Sequence, residues 1–313
     1  MDHRFLGNTG VRVSELCFGT MSFGAEADRE TSEAMFRRCR DAGINFFDTA
    51  DLYSAGRSEE ILGDMIEGCR DEVVLATKAY FPTGDGPNER GTSRYHLVRA
   101  VEASLRRLGT DRIDILYLHR FDARTDLRRT LRALDQLVAQ GKVLYPAASN
   151  FAAWQIAKSL GLQAMHDWAE FVCIQPMYNL LKRQAEVELL PMAQSEELGV
   201  VPYSPLAAGL LTGKYTGGEP DEGRLVGNDL YRARYGDPTA NQGAARFVNF
   251  AHEHGYDPVA LAVRWVGAHP AVTAPIIGAR NVEQLEGSLA ATDLQMDETL
   301  RAEISELVPA PPP

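Results

Sequence analysis

Four residues at the ends of apolar segments could together deliver a proton to a carbonyl oxygen. Asp48, Lys78 and His119 stand at or just after the end of a short apolar segment, and Tyr53 follows Asp48 closely. A phenol has a pKa of about 10 and is a weak acid at neutral pH, but a neighbouring ammonium favours its phenolate. A carboxylate would keep that ammonium charged, and an imidazole could donate a hydrogen bond to the substrate. These residue types predict acid catalysis at a carbonyl group.

The remaining apolar segments end in further residues of this kind, which are Ser149, Asn150, Gln175, Tyr203, Ser204 and Gly278. Each residue alone has an ordinary explanation, since a strand-end aspartate is commonly a turn residue, a lysine is commonly solvated and a histidine can be a core residue. Their joint occurrence favours one shared site. Because a lysine in such a site can also form a Schiff base, an aldolase-type reaction on Lys78 is an alternative.

The elements that must position these residues alternate along the chain. Near-continuous apolar segments are typical of parallel strands buried on both faces, and stretches of helical period separate them. Eight such units predict an α/β fold of the (β/α)8 TIM barrel type, with its site at the carboxyl ends of the strands. A doubly wound sheet is the rival, but residues 19–24 lack its GxGxxG turn. The predicted strands cover 16–18, 46–48, 73–77, 113–118, 143–148, 172–175, 200–203 and 274–277, and the predicted helices cover 31–42, 58–66, 93–108, 127–140, 152–160, 187–198, 259–268 and 282–290.

Several features lie outside these repeating units. Residues 3–6 and 11–13 flank a turn and predict an N-terminal β-hairpin. Residues 216–239 are rich in Gly, Pro and Asp and predict a long functional loop after the seventh strand. Pro146 predicts an irregularity in the fifth strand, because proline cannot donate to a sheet ladder. We expect a single domain over residues 1–308 that ends with a C-terminal helix, and a disordered, Pro-rich tail over 309–313.

Composition excludes some classes of protein. The chain has 313 residues with 32 Lys+Arg and 43 Asp+Glu, so its formal net charge of −11 argues against nucleic-acid and anionic-membrane partners. The N-terminal residues have no apolar signal segment, and no stretch reaches the length of a membrane helix. The four cysteines are far apart and form no CxxC pair, which is typical of reduced thiols and predicts a cytoplasmic protein without a metal site.

Longer motifs resemble the aldo-keto reductase superfamily. The resemblance runs in order through 47–53, 56–63, 76–78, 103–111, 118–119, 149–151, Gln175, 203–206 and 277–280. It therefore covers almost the whole chain. The pattern of residues 119–122 and the long stretch before Asn241 are similar to the bacterial, aryl-alcohol-dehydrogenase-like and potassium-channel-β-subunit-like branches.

The resemblance implies an NADP(H)-dependent reductase of a small aldehyde or ketone. Tyr53 would be the proton donor, Asp48 and Lys78 would make its proton easier to release, and His119 would orient the carbonyl. Three groups of residues match cofactor positions. Ser149, Asn150 and Gln175 match positions that bind the nicotinamide carboxamide, and Tyr203 matches the residue that stacks on the ring. The pyrophosphate segment is matched by Ser204, Leu206, Gly209 and Lys214, and the adenosine side by Arg280 and Gln284. The further residues expected to bind the cofactor are Gly19, Thr20, Met21, Asp48, Pro205, Leu211, Gly278, Ala279 and Ser288.

Two further expectations follow from the resemblance. Arg280 would meet the 2′-phosphate that distinguishes NADPH from NADH, because a guanidinium can bind phosphate through two hydrogen bonds. Residues 287–288 read Gly-Ser where relatives often have Glu-Asn, which changes the adenine contact. A regulatory or binding subunit of the same fold, with little or no turnover, is the alternative function. The physiological carbonyl and the oligomeric state are left open.

Overall fold

The computed structural model describes residues 1–215 and 229–312, and for residues 230–232 it describes the backbone alone. A hairpin of β1 (His3–Phe5) and β2 (Arg12–Ser14) precedes eight parallel strands. The eight strands are β3 (Cys17–Gly19), β4 (Phe46–Asp48), β5 (Val74–Ala79), β6 (Ile113–Leu118), β7 (Val143–Ser149), β8 (Cys173–Gln175), β9 (Gly199–Val200) and β10 (Ile276–Ile277). The hairpin and seven of the eight strands lie within or close to their predicted ranges, whereas β9 shares only Val200 with its predicted range of 200–203.

The parallel sheet closes on itself. Its strands are paired in the order β10, β3, β4, β5, β6, β7, β8, β9. The two outer members meet through backbone hydrogen bonds, because Thr273 N donates to Val200 O at 2.8 Å and Ile276 N donates to Pro202 O at 2.8 Å. The prediction of a (β/α)8 barrel is therefore confirmed.

Proline does not interrupt the fifth barrel strand, so the irregularity predicted at Pro146 is wrong. In β7 the register continues through Pro146 opposite Leu116 and Ala147 opposite Tyr117. Pairing of β7 with β8 begins only at Ala148, so the donor that Pro146 lacks is not needed in that ladder. The carbonyl oxygen of Pro146 still accepts from Val172 N at 3.1 Å.

Helices surround the barrel and link its strands. They are α1 (Arg29–Asp41), α2 (Arg57–Ile66), α3 (Arg94–Leu108), α4 (Leu127–Ala139), α5 (Ala153–His166), α6 (Leu189–Ser195), α7 (Asp229–Tyr235), α8 (Pro238–Glu253), α9 (Pro258–Gly267), α10 (Val282–Leu289) and α11 (Glu298–Glu306). All eight predicted helices and the C-terminal helix are present. α5 extends beyond its predicted end, and α6 is shorter than its predicted range.

The stretch predicted as a long loop is largely helical where the structure describes it. Residues 216–228 lie outside the described residues, but α7 and the start of α8 fall within the remainder. Asp237 accepts a hydrogen bond from Thr239 N at 2.8 Å, and Pro238 occupies the first turn of α8. The prediction of a loop was wrong over α7 and from Pro238 onward; at Pro238 the reason is that Asp followed by Pro is a helix-start signal as well as a turn signal.

The hairpin closes the amino-terminal end of the barrel. Leu6 and Val13 are fully buried in one cluster with barrel-interior residues such as Ile115 and Tyr117. Burial of these side chains stabilises the hairpin against the barrel, since each removes apolar surface from water. The carboxyl end of the barrel is left for the polar strand-end residues.

Candidate active site

Two neighbouring strands, β4 and β5, and the segment after β4 bring Asp48, Lys78 and Tyr53 together at the carboxyl end of the barrel. Lys78 is only 1 % exposed. Its Nζ donates to Asp48 Oδ1, to the carbonyl oxygen of Thr49 at 2.8 Å and to the Tyr53 hydroxyl at 3.4 Å. The other carboxylate oxygen of Asp48 accepts from Gln175 Nε2 at 2.9 Å. The buried ammonium therefore has a fixed position beside the phenol.

The charge on Lys78 follows from its neighbours. Burial alone lowers the pKa of Lys78, but Asp48 and Tyr53 outweigh it and raise the pKa above the usual lysine value. A Schiff base needs a neutral amine as its nucleophile. The ion pair with Asp48 holds Lys78 as an ammonium, so the geometry disfavours the aldolase alternative.

His119 follows β6 and lies edge-on to two aromatic rings. Its ring centroid is 6.2 Å from that of Tyr53 and 4.9 Å from that of Phe81. Its Nδ1 is buried without a hydrogen-bond partner among the described residues. Burial and the charge of Lys78 lower the pKa of His119 well below its usual value. The imidazole is therefore neutral at physiological pH and carries one N–H.

The turn after Tyr53 has an uncommon backbone conformation. Ser54, Ala55 and Gly56 have φ angles of 49°, 54° and 91°, all in the left-handed region. Ser54 Oγ donates to the carbonyl oxygen of Phe23 at 2.8 Å, which fixes the turn to the segment after β3. Left-handed conformations of non-glycine residues cost about 1 kcal/mol each and persist where surrounding contacts impose them. This turn directs the Tyr53 side chain toward Lys78.

The predicted nicotinamide-side residues form a hydrogen-bonded chain across β7, β8 and the segment after β9. Asn150 Nδ2 donates to the His119 carbonyl oxygen at 2.9 Å and to Ser149 Oγ at 3.0 Å. Asn150 Oδ1 accepts from the Tyr203 hydroxyl at 2.8 Å. Ser149 Oγ donates to the Gln175 carbonyl oxygen at 2.9 Å. Asn150 is thus linked directly to the strand end that carries His119.

The predicted pyrophosphate segment is a left-handed loop. Ser204, Ala207, Ala208 and Gly209 have φ angles of 66°, 49°, 58° and 95°. A Cβ at Gly209 would lie 2.9 Å from Lys214 Nζ, so the lysine ammonium folds over the glycine. Pro205 and Leu206 lie within this loop, and the side chain of Leu211 is fully buried.

The predicted adenosine-side residues lie after β10, next to the end of β3. The only described atom that a Cβ at Gly278 would contact is Gly19 O, at 3.6 Å, so the backbone is open there. Arg280 N donates to Gln284 Oε1 at 3.2 Å, directly before α10. Among the other predicted residues, Thr20 N donates to Asp48 O at 2.8 Å, and Met21 is partly exposed. The Ala279 carbonyl oxygen accepts from Ser22 Oγ at 2.6 Å. The Ser288 hydroxyl is buried without a partner among the described residues.

Sequence reasoning missed several groups around the site. It did not identify the Thr49 carbonyl oxygen as a lysine partner or Phe81 as a neighbour of His119. It also missed the buried cluster of Asp51, Glu59 and Arg107, in which Arg107 Nε donates to Glu59 at 2.7 Å. Only the position of Asp51 between Asp48 and Tyr53 was a signal in the sequence.

The amino-acid sequence matches a known family over most of its length. The sequence profile of the aldo/keto reductase family matches residues 15–309. The chain belongs to the aldo/keto reductase family. This membership supports an oxidoreductase and confirms the family resemblance.

Similar aldo/keto reductase relatives carry different names. An uncharacterized oxidoreductase, YrpG, of Bacillus subtilis is 38% identical over 99% of this chain and 97% of its own length. A probable voltage-gated potassium channel subunit beta of Oryza sativa is 35% identical, with 94% of this chain and 92% of its own length covered. A putative aryl-alcohol dehydrogenase of Schizosaccharomyces pombe is 35% identical, again covering 94% and 92%. The aryl-alcohol-dehydrogenase-like and potassium-channel-β-subunit-like members predicted from the sequence are therefore both among the relatives.

Two further findings bear on this aldo/keto reductase. Within residues 1–215 and 229–312, no group of three or more His, Cys, Asp and Glu side chains could hold a metal ion. In the same part of the chain, every helix is too short or too polar to cross a membrane.

Proposed function

We propose that the protein reduces an aldehyde or ketone to the alcohol, reversibly, and uses NADPH as the hydride donor. The observation that carries the proposal is the Tyr53 hydroxyl, which accepts a hydrogen bond from the buried Lys78 ammonium at 3.4 Å. An ammonium at that distance stabilises the phenolate that remains after proton transfer. Asp48 maintains the ammonium, so the three residues form a proton-donating unit.

The residues around the strand ends suit a dinucleotide. Ser149, Asn150 and Gln175 offer amide and hydroxyl groups that would bind a nicotinamide carboxamide. The left-handed loop at Ser204–Gly209, with the Lys214 ammonium over Gly209, would follow the pyrophosphate. The first turn of α10 and Arg280 offer N–H donors and a positive charge to a 2′-phosphate. When bound, NADPH supplies the hydride to the carbonyl carbon.

The chain's own residues would then control the proton. Tyr53 gives its phenolic proton to the carbonyl oxygen as the carbon gains the hydride, and Lys78 stabilises the phenolate that is left. Neutral His119 donates its single N–H to the same oxygen and thereby orients the carbonyl. Asn150 holds the His119 backbone through the 2.9 Å hydrogen bond to its carbonyl oxygen. In alcohol oxidation the same groups act in reverse, with Tyr53 as the base.

Aromatic side chains near His119 favour aromatic or apolar carbonyl compounds. The Phe81 ring packs on His119, and the Tyr80 ring packs on Phe81 with centroids 5.1 Å apart. Trp154 is 60% exposed, and its ring centroid is 6.0 Å from that of Phe121, so it offers a further apolar surface. The relative named as an aryl-alcohol dehydrogenase agrees with this substrate class.

All four cysteines are free, in agreement with a reducing, cytoplasmic location.

A regulatory subunit is the second candidate, because one relative carries the name of a potassium channel subunit. Turnover distinguishes the two functions. The Asp48, Tyr53, Lys78 and His119 set is complete in this chain, and a purely binding role does not need all four.

Oxidation of NADPH against a panel of aromatic and aliphatic aldehydes tests the proposal. Tyr53→Phe removes only the donated proton, so we expect turnover to fall about a thousandfold while NADPH affinity changes less than about twofold. Fluorescence titration with NADPH measures the affinity, and Tyr80→Phe is the matched control that retains activity. Tyr53→Phe turnover equal to a measurable wild-type rate would exclude Tyr53 as the donor. Absence of turnover in the wild type itself would favour the regulatory role.

A further inference from the structure

The segment between Asp48 and Tyr53 contains a carboxyl group that the proposed mechanism does not use. Asp51 is 2% exposed, and neither carboxyl oxygen has a hydrogen-bond partner among the described residues. The N–H of Leu52 lies nearby but outside hydrogen-bond geometry. The backbone N–H of Asp51 donates to the Lys78 carbonyl oxygen at 3.2 Å, which holds the segment against β5. A buried carboxylate without donors is strongly unfavourable, so this site favours the neutral acid.

A second buried carboxyl group lies on α2, and it has the partners that Asp51 lacks. Glu59 is fully buried and accepts hydrogen bonds from Thr77 Oγ1 at 2.6 Å and from Arg107 Nε at 2.7 Å. Nη2 of Arg107 lies 2.6 Å from the same Glu59 oxygen. The Arg107 guanidinium, on α3, is therefore paired with Glu59. This assigns the negative charge to Glu59 and the proton to Asp51.

The charged groups that act on Asp51 come from three elements. They are Glu59 on α2, Arg107 on α3 and Lys78 on β5. Burial and then the Glu59 charge raise the pKa of Asp51 to about 8, against the weaker opposing effects of Arg107, the Leu52 N–H and Lys78. Asp51 is buried without a hydrogen-bond partner and lies near the charge of the paired Glu59, so it keeps its proton at neutral pH.

We propose that Asp51 is a positioning residue whose neutral, protonated form leaves the Asp48–Tyr53 segment undisturbed, and that its ionisation limits the reaction at alkaline pH. This inference rests on the proposed carbonyl reduction. A carboxylate at this position would repel Glu59 and strain the segment that carries Tyr53. It would also oppose the Lys78 charge that stabilises the Tyr53 phenolate. Asp51 thus acts through Lys78 and Tyr53 and not on the substrate.

The pH profile of alcohol oxidation separates this effect from the chemistry of Tyr53. A tyrosine base alone makes the rate rise with pH to a plateau. In the wild-type enzyme, we expect the rate to fall at least about tenfold between about pH 8 and about pH 10. Asp51→Asn keeps the shape of the side chain but cannot ionise, so it should retain neutral-pH turnover within about threefold and lose that fall. Asp64→Asn, at an exposed carboxylate on α2, is the matched control and should keep it. An alkaline fall in Asp51→Asn equal to that of the wild type would overturn the proposal.

Thermal unfolding gives a readout that does not depend on activity. Between the unfolded-state pKa of about 3.9 and the native value of about 8, the native state holds a proton that the unfolded state has released. Stability therefore falls as pH rises through this window. Between about pH 6 and about pH 8, the wild-type Tm should drop about 4 °C more than that of Asp51→Asn. Parallel curves would contradict a proton on Asp51.

Failure of the proposed function can be distinguished from failure of the proposal for Asp51. If the wild type turns over no carbonyl compound, the proposed function fails, while the Tm comparison still decides whether Asp51 holds a proton. If Asp51→Asn does not fold, an infrared titration of the wild type takes its place. A protonated-carboxyl band that disappears near pH 8 supports the proposal, and a profile without that transition overturns it.

Discussion

Lys78 and Asp48 form an ion pair that is almost completely removed from water. Burial of such a pair costs several kcal/mol per ion, and removal of one partner typically destabilises a protein by about 3–5 kcal/mol. Such a pair therefore contributes little net stability to the fold. In the proposed mechanism the Nζ hydrogen bond to Tyr53 gives the pair a chemical use, because the same ammonium would stabilise a Tyr53 phenolate. Because Asp48→Asn removes one partner of the buried pair, we expect it to lose stability as well as activity.

Arg280 tests the preference between the two nicotinamide cofactors. It lies directly before α10 and is partly engaged by Glu26, whose carboxylate oxygen is 3.9 Å from its Nη2. A charge-assisted hydrogen bond contributes about 1.5–3 kcal/mol, so Arg280→Ala should weaken NADPH binding about 30-fold. NADH lacks the 2′-phosphate and should bind with nearly unchanged affinity. Calorimetric titration with both cofactors measures the difference, and an equal loss for both would remove the proposed role of Arg280.

A polar and aromatic cluster holds the C-terminal helix α11 in place. Glu186 accepts from Arg183 Nη2 at 2.8 Å and from the Tyr178 hydroxyl at 2.5 Å. Arg301 of α11 donates to the Tyr178 hydroxyl at 2.9 Å, and its guanidinium lies 4.8 Å from the Trp265 ring. The cluster joins α11 to α9 and to the segment after β8.

Substitution of Glu186 should therefore destabilise the protein without changing its chemistry. Glu186→Ala leaves Arg183 without its carboxylate partner in a half-buried site, and we expect a loss of about 2 kcal/mol in the free energy of unfolding. Glu188→Ala, at an exposed neighbour with no side-chain capping bond, should change it by less than about 0.5 kcal/mol. Denaturant titration measures both variants. Equal effects would show that the cluster does not hold α11.

At the scale of the whole molecule, the net charge of −11 acts against binding of a multiply charged anion. In the proposed function, cations such as Lys214 and Arg280 would therefore act locally, close to the strand ends. The acidic composition argues against extended polyanionic partners. It leaves room for a small anionic ligand in a site where N–H groups and guanidinium or ammonium groups converge.

The boundary predicted at residue 308 can be tested by truncation. Val308 is buried against Gly243 of α8, whereas residues 309–312 have no regular structure. Removal of residues 309–313 should change the free energy of unfolding by less than about 0.5 kcal/mol. Removal of everything after Asp297 takes away α11 and exposes Trp265, so it should cost several kcal/mol. Similar stability of the two truncated chains would move the boundary of the domain.

The fold could be predicted because its signals are local. Apolar segments such as 113–118 and helical stretches such as 93–108 carry their own period, and eight of them leave few architectures. Ser93 caps α3 by accepting from His96 N at 3.2 Å, as a residue of its type does before a helix. The wrong prediction at the start of α8 also comes from a local signal, because Asp237 followed by Pro238 is typical of a turn as well as of a helix start.

The sequence by itself determined which residues stand at the strand ends, because strand length and order are set by local patterns and by chain connectivity. Only the tertiary structure decided what those residues contact. The hydrogen bond from Gln175 to Asp48, the packing of Phe81 on His119 and the proximity of Asp51 to Glu59 and Arg107 all join distant parts of the chain. Such contacts depend on closure of the barrel and on helix packing against it, and the charge states of Lys78, His119 and Asp51 depend on the burial that closure creates.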